Sequence, residues 1–406
     1  MIGTLLAANA LWAQGSGTMA TIYSFEAPPG ATYPAAGPTI SSSGIIYGGT
    51  FAGGVNSGCG YFNCGTSYEL TQPAVRGGIW NETTLYSFSR IPDGYDPMSC
   101  LVLGSDGSLY GWASGGSNNQ GAIFRISPPG STGEPWSETV LYSFDGPPVD
   151  GGTPVGNIAI GANGTLYGAT MYGGTYNDGT VFELSPPVSQ GAAWTLTTIY
   201  NFHRDGDGAN PAAGVVVGAN GTIYGTTLNG GAYGWGTVFG MKYIGGAWQE
   251  KVLVSLPESS ANPNGMALGS SGALYGQSSY NGIFEAVPPA SEGGTWTAEV
   301  IDGTIMTMAA QSLAVGPNGA IYWTTPQGGT STVCGVPQGC GALNELIPPS
   351  APGGAWTPVV LHNFTGQQGD GYQPNPGLVV TQNGGVYGTT YYGGANYFGT
   401  AFRYTP

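Results

Sequence analysis

The stretch "GANGTIYGTTLNGGAYGWGTVFG", residues 218–240, holds eight glycines in twenty-three positions, with aromatic and β-branched residues spaced between them. Such a composition suits a flexible linker, a glycine loop that cradles a phosphate, or one unit of a repeated structure. The rest of the chain decides between them. "GANGTLYGATMYGGTYNDGTVFEL" begins at Gly161, "TQNGGVYGTTYYGGANYFGTAFRY" at Thr381 and "GSDGSLYGWASGGSNNQGAIFRI" at Gly104, with weaker copies from Ser41, Gly269 and Gly316. Aligned on the central tyrosine, the copies fall at Tyr47, Tyr110, Tyr167, Tyr224, Tyr275, Tyr322 and Tyr387, at intervals from 47 to 65 residues. Neither a linker nor a phosphate loop predicts seven copies in one order. A propeller or a solenoid does.

Within one unit the pattern reads as four short strands. Gly214–Val217 leads into the Asn220-Gly221 turn, which predicts a two-residue type I′ hairpin. The equivalents are Asp106-Gly107, Asn163-Gly164, Asn318-Gly319, Asn383-Gly384, Ser43-Gly44 and Ser271-Gly272. "TIYGTT" alternates at period two, a glycine-rich loop returns to "GTVFGM", and a "PP…GGAW" connection leads to a fourth strand such as "WTLTTIYNF". Four antiparallel strands in each of seven units make an all-β, seven-bladed β-propeller, since a single-stranded β-helix rung would be shorter. The blades are expected at about 36–88, 97–144, 154–202, 211–256, 263–304, 310–364 and 374–406, in one domain over 19–406. "TIYSF" at 21–25 copies the fourth-strand sequences "TLYSF" and "VLYSF" but precedes the first full unit, while the last unit stops after its third strand. Residues 19–25 are therefore expected to close the last blade and remove the open sheet edge. Tryptophans 80, 136, 194, 248, 296 and 356 recur just before fourth strands, which marks packing residues rather than sugar platforms.

These phrases resemble the GloVer repeat ("LYGTT…GG…GTVF") of bacterial choice-of-anchor tandem repeat proteins, over nearly the whole chain from about residue 20. The resemblance implies a secreted or cell-surface bacterial protein. Family members usually end in a surface anchor or sorting signal, and this chain ends in "GTAFRYTP". Residues 1–18, "MIGTLLAANALWAQGSGT", read as a leader or signal-peptide remnant, although no basic segment precedes the apolar run.

Charged residues make up only 7% of the 406, with seven Lys+Arg against 22 Asp+Glu and a net charge of −15. Nucleic acid needs a basic surface, so it is not an expected partner. No eighteen-residue apolar span is present, so no membrane insertion is expected. Apolar content of 41% and aromatic content of 12% are enough to build a core.

Cys59 and Cys64 lie in one loop insertion, and Cys334 and Cys340 in the matching insertion of another unit. Two local disulfides stapling long loops are expected, which implies an oxidising compartment. A zinc site is the competing reading, but the spacings are not C-x₂-C and neither loop holds a histidine. Cys100 is expected to be a free, buried small hydrophobe.

No serine-nucleophile elbow, Walker lysine or zinc-protease helix motif occurs, so no catalytic residue is assigned. The two histidines, His203 and His362, sit on or beside fourth strands, where solvated rim residues are expected. A polar position repeats on third strands (Glu69, Arg125, Glu183, Glu285, Glu345, Arg403), one per blade around a ring rather than converging as a glycosidase pair does. Connections between blades are acidic, and Asp205-Gly-Asp207-Gly has the oxygen density calcium prefers; ordinary turn chemistry is the alternative. The last blade's loop "YYGGANYFG" supplies Tyr391, Tyr392, Tyr397 and Phe398, and blade one adds Tyr61 and Phe62 between stapled insertions. An aromatic floor of this kind suits stacking on sugar rings, though it also suits protein interfaces and loop self-packing. The expectation is an exported, non-enzymatic propeller that binds polysaccharide or a cell-surface glycan on its loop face. A structural, adhesive or self-assembling surface protein is the alternative, and a glycan-cleaving hydrolase or lyase the second.

Overall fold

A computed structural model of the chain describes residues 13–60, 63–75, 78–189, 191–278, 282–291, 293–303, 312–351 and 353–406. Seven antiparallel sheets follow one another along the sequence. Blade four shows the plan: an inner strand in two pieces, Ala209–Pro211 and Val216–Val217, then Ile223–Asn229, Thr237–Ile244 and the outer Ala247–Ser255. In blade seven the inner pieces Gly371–Pro374 and Val379–Val380 precede Val386–Gly393 and Thr400–Thr405, and the outer strand is Thr18–Ser24 from the other end of the chain. Its register runs antiparallel from Thr18 opposite Thr405 to Ser24 opposite Thr400. The expected clasp is present. Ala13–Gln14 pairs in parallel outside the last strand of blade six, so part of the expected leader lies against the ring; residues 1–12 fall outside the described residues.

Inner strands begin at Ala31, Tyr95, Gly151, Ala209 and Gly371, ahead of the expected blade starts. The reason is a left-handed residue before each inner-strand proline: Tyr33, Asp96, Thr153, Asn210, Asn262 and Gln373 have φ between 50° and 57°. That residue bulges out of the pairing with the second strand, and the segment before it still pairs, as Ala31 does with Gly53 and Pro34 with Thr50.

That turned residue ties blade to blade. Its N–H donates to the preceding blade at six interfaces, from Tyr33 to Phe398, Asp96 to Cys64, Thr153 to Gln120, Asn210 to Asp178, Asn262 to Trp235 and Gln373 to Cys340, at 2.7–3.1 Å. The corresponding segment of blade six, residues 304–311, lies outside the described residues. The acceptor is always followed by a glycine (Gly399, Gly65, Gly121, Gly179, Gly236, Gly341) with φ between 88° and 103°. A Cβ on any of the six would stand 2.5–3.0 Å from the Cδ of the next blade's proline. The glycine carbonyl in turn accepts the N–H of Phe25, Phe88, Phe144, Phe202, Leu256 or Phe364 at the end of the outer strand. These side chains are at most 1% exposed. The five phenylalanines meet the third-strand aromatic of the next blade, four of them edge-on, as Phe88 meets Phe124 at 5.0 Å and Phe202 meets Phe239 at 5.1 Å, and Phe364 tilted on Phe402 at 5.2 Å. Such pairs contribute about 0.5–1.5 kcal/mol each beyond their buried area.

The "Tyr-Gly" glycines have a second cause. Gly168 lies opposite Phe182 and Gly225 opposite Phe239, and a Cβ there would run into the ring. Blade six exchanges the partners: Trp323 stands at the glycine position and Asn344 opposite it, so the large ring comes from the other strand. The tryptophans pack on the repeat tyrosine of the preceding blade, Trp248 on Tyr167 at 5.8 Å and Trp194 on Tyr110 at 6.2 Å, as expected. Asn163-Gly164 has both residues at positive φ, as a type I′ turn requires, with Thr165 N–H reaching Ala162 O; at Asn220-Gly221 the hairpin expectation needs correcting. Gly218 N–H reaches Thr222 O and Gly221 N–H reaches Gly218 O, with only the glycine of Asn220-Gly221 at positive φ. This is the three-residue loop with a glycine bulge, not the two-residue type I′ turn; the Asn220 side chain accepts the N–H of Thr222 and holds it.

A chain beginning at Glu26 lacks the clasp, so its single thermal transition should fall by about 10 °C or more as one ring rather than fray from one end. An unchanged melting temperature would contradict closure. Gly179→Ala adds both a left-handed penalty and a clash with Pro211, and should cost about 2–4 kcal/mol in urea unfolding. Gly206→Ala, at φ 104° with open space around it, should cost only about 1 kcal/mol. Equal effects would remove the proline contact from the account.

Candidate functional site

Loops joining second to third strands share one face of the disc with the connections between blades, and both kinds line the same grooves. The acidic connections of that face are built into the fold. Tyr86 donates its hydroxyl to Asp93 at 2.7 Å, Tyr142 to Asp150 at 2.7 Å and Tyr200 to Asp207 at 2.6 Å. His362 takes the tyrosine's place toward Asp370, at 3.2 Å, and His203 lies 3.5 Å from Asp207. Both histidines are thus carboxylate partners between blades rather than merely solvated rim residues. Of the calcium candidates, Asp207 is buried on Tyr200 and His203, while Asp205 stands exposed on the loop. Among the described residues no group of three His, Cys, Asp or Glu side chains is placed to hold a metal ion.

Two glutamates complete these interfaces. Burial first and the Asp93 carboxylate second push Glu138 up to about 7. Burial and then Asp207 push Glu250 up to about 7, against a hydrogen bond from Tyr200 that lowers it. Each also has one buried oxygen without a hydrogen-bond partner.

The third-strand polar positions pair with the repeat tyrosines across their own blades, Tyr322 to Glu345 at 2.6 Å and Tyr275 to Glu285 at 3.0 Å. They form no converging acid pair.

The aromatic residues do converge, at the interface between blades seven and one. Tyr391 stacks on Tyr33 with centroids 5.1 Å apart and planes 7° apart. Tyr392 meets Tyr391 edge-on at 4.6 Å and stacks on Tyr372 at 5.3 Å. Phe398 and Phe51 extend the group, 5.5 Å from Tyr33 and 6.2 Å from Tyr391. All six rings are half-buried, so each keeps an accessible part. Tyr397 stands apart: it is 71% exposed, at φ 68°, in the groove beside Cys334 and Tyr372. Tyr61 and Phe62 lie outside the described residues. Sequence reasoning missed Tyr33, Tyr372 and Phe51. The available signal was the residue just before or two before each inner-strand proline ("ATYP", "GYQP"), which is aromatic only next to this interface and in blade two.

Burial first, then the neighbouring Tyr392, Tyr33 and Asp96, raise Tyr391 to about 12. Burial also raises Tyr33 and Tyr372. The phenols therefore remain protonated donors at any ordinary pH. Asp96, pushed up to about 6 by burial, is a carboxylate whose charge reaches Tyr391.

The loops beside this cluster are held by disulfides. Cys59 joins Cys64 in blade one and Cys334 joins Cys340 in blade six, leaving Cys100 free, as expected. Cys100 is not simply a core residue, however. It lines the central channel, a cavity of about 420 Å³, beside Trp112, Met98 and Met266. Among the described residues no helix is long and apolar enough to cross a membrane.

A carboxyl that holds its proton more tightly in the folded chain than in the unfolded one stabilises the fold while protonated. That contribution is full below about 4.5 and is lost as pH rises through about 7. Stability should therefore fall between about pH 5 and pH 8, and the double change Glu138→Gln, Glu250→Gln should flatten the slope. An unchanged slope in thermal melts would contradict the assignment.

Known structures share the architecture. PorZ, a surface component of the type-IX secretion system of Porphyromonas gingivalis, superposes with a TM-score of 0.52 at 14% identity, over 94% of this chain and 48% of that one. The extracellular domain of a one-component system from B. thetaiotaomicron gives 0.52 at 13%, over 93% of this chain and 39% of that one. A fungal alcohol oxidase in complex with copper gives 0.54 at 15%, over 96% and 76%. This chain thus spans less than half the length of the first two, and identities at this level speak to the fold alone. No curated protein matches the sequence. Residues 12–203 match the model of the Gloeobacter/Verrucomicrobia repeat, the family that the repeat phrases resemble.

Proposed function

We propose that this propeller is an extracellular or surface binding module without catalytic activity, and that it takes polysaccharide on the aromatic cluster between blades seven and one. The observation that carries the reading is the six-ring group of Phe51, Tyr391, Tyr33, Phe398, Tyr392 and Tyr372, half-buried on the loop face. The flat, apolar C–H faces of a pyranose pack on aromatic rings, while its hydroxyls need donors and acceptors at the edge. Protonated phenols and Asp96 supply those. Rings already stacked on one another lose little freedom when a ligand arrives, and the neighbouring disulfides limit loop motion further. Two disulfides also favour an oxidising compartment. Asp93, Asp150, Asp207 and Asp370 on this face are engaged by Tyr86, Tyr142, Tyr200 and His362, which favours binding over acid–base chemistry.

Tyr392→Ala should weaken binding on a glycan array and in titration calorimetry by about tenfold, or about 1.4 kcal/mol. Tyr392→Phe, which retains the stacking, should lose much less. Melting temperatures of both should stay within a few degrees of the parent, because the ring is half-exposed. Unchanged glycan binding in Tyr392→Ala and in Tyr33→Ala would overturn the reading.

A further inference from the structure

The aromatic cluster at the interface of blades seven and one occupies a position that the other described interfaces share. It is framed by the second-to-third-strand loop of one blade and the turned residue before the next blade's proline. Blades three, four and seven carry this loop at the same length: "MYGGTYNDGT" at 171–180, "LNGGAYGWGT" at 228–237 and "YYGGANYFGT" at 391–400. At the interface of blades three and four the position of Tyr392 is held by Tyr172, that of Phe398 by Asp178 and that of Tyr33 by Asn210. Where blades seven and one carry an aromatic cluster, blades three and four carry a polar groove with aromatic walls.

That groove has a volume of about 590 Å³. Tyr176 and Tyr172 stand 59% and 47% exposed on its wall. Tyr176 and His203 meet in a T-shaped contact at 5.7 Å, which fixes the Tyr176 ring on the groove wall. The polar groups are fixed on one another. Arg204 donates to Asp178 at 2.8 Å and to Asn210 at 3.3 Å, and Asn229 donates to Asn210 at 3.1 Å. Asn210 is itself anchored to the carbonyl of Met171. A guanidinium, two carboxamides and a carboxylate held beside a tyrosine face form an array of donors and acceptors for vicinal hydroxyls.

We infer that the groove between blades three and four is a second saccharide subsite for neutral sugars, so that one polysaccharide chain is held at two places on the same face. This rests on the proposed polysaccharide reading. The two grooves are three blades apart one way and four the other, so they lie nearly opposite across the ring. Charge sets the class of sugar. Asp178 and Asp205 line the groove against one arginine that is already bonded to Asp178, in a protein of net charge −15. A uronate or sulfated chain would meet like charge.

The test is titration calorimetry of the full chain with cellohexaose, xylohexaose, mannohexaose and hexagalacturonate, followed by a long polymer of the best-binding sugar. The best neutral hexasaccharide should fill two sites per chain. Tyr176→Ala, and separately Arg204→Ala, should each leave one site, and Tyr392→Ala should leave the other, all with near-parental melting temperatures. With the polymer, loss of either groove should lower affinity by about tenfold or more, because the second contact is then no longer intramolecular. A single site that Tyr392→Ala removes and Tyr176→Ala leaves untouched would overturn the second subsite and keep the first. No binding of any hexasaccharide would overturn both. Tighter binding of hexagalacturonate than of the neutral sugars, lost in Arg204→Ala, would overturn the neutral class.

Discussion

The N–H of the turned residue before each inner-strand proline, donated to the preceding blade, is the contact on which the ring depends. It couples three requirements at one point. The turned residue must adopt a left-handed conformation, at a cost of about 1 kcal/mol or more for side chains such as those of Tyr33 and Thr153. The acceptor must be followed by a glycine, because the next proline ring occupies the space of a Cβ. The carbonyl of that glycine then fixes the last outer-strand residue, whose side chain fills the core between blades. A single such hydrogen bond contributes about 1 kcal/mol net. Repeated around the ring and backed by aromatic pairs, it sets blade orientation without help from the loop tips, and those tips are left free to vary.

That division explains which features are legible in the sequence. Glycines, prolines and outer-strand phenylalanines recur because the interface demands them at fixed positions, so unit number, blade plan and the clasp at 21–25 can be read directly. The disulfides are legible because both pairs occupy one loop insertion. The composition of the candidate site is less so. Tyr391, Tyr392 and Phe398 lie close in sequence, but Tyr33 and Phe51 join them from the other end of the chain across the closure. Only the ring topology brings them together. Tyr397 looked equivalent by proximity, yet its left-handed backbone turns it toward the neighbouring groove beside Cys334. Turn type is legible only in part: Asn-Gly favours the type I′ hairpin and Asn163-Gly164 has both residues left-handed, but Asn220 caps the following N–H and only its glycine turns left-handed.

Blade six shows that the scaffold conserves a volume rather than a residue. Trp323 and Asn344 exchange the roles of glycine and phenylalanine, and the blade keeps its place in the ring. The same logic applies on the loop face, where one pocket position is aromatic between blades seven and one and polar between blades three and four. Equivalent backbone positions thus carry different surfaces, and recognition follows from the choice of side chains on an invariant frame.

The most direct measurement is the position of a bound sugar in a crystal of the full chain soaked with the best-binding neutral hexasaccharide. The account predicts a pyranose ring on the loop face, packed against the exposed parts of Tyr33, Tyr391 and Tyr392 with hydroxyls toward Asp96. Sugar confined to the central channel around Trp112, or to the opposite face of the disc, would contradict it.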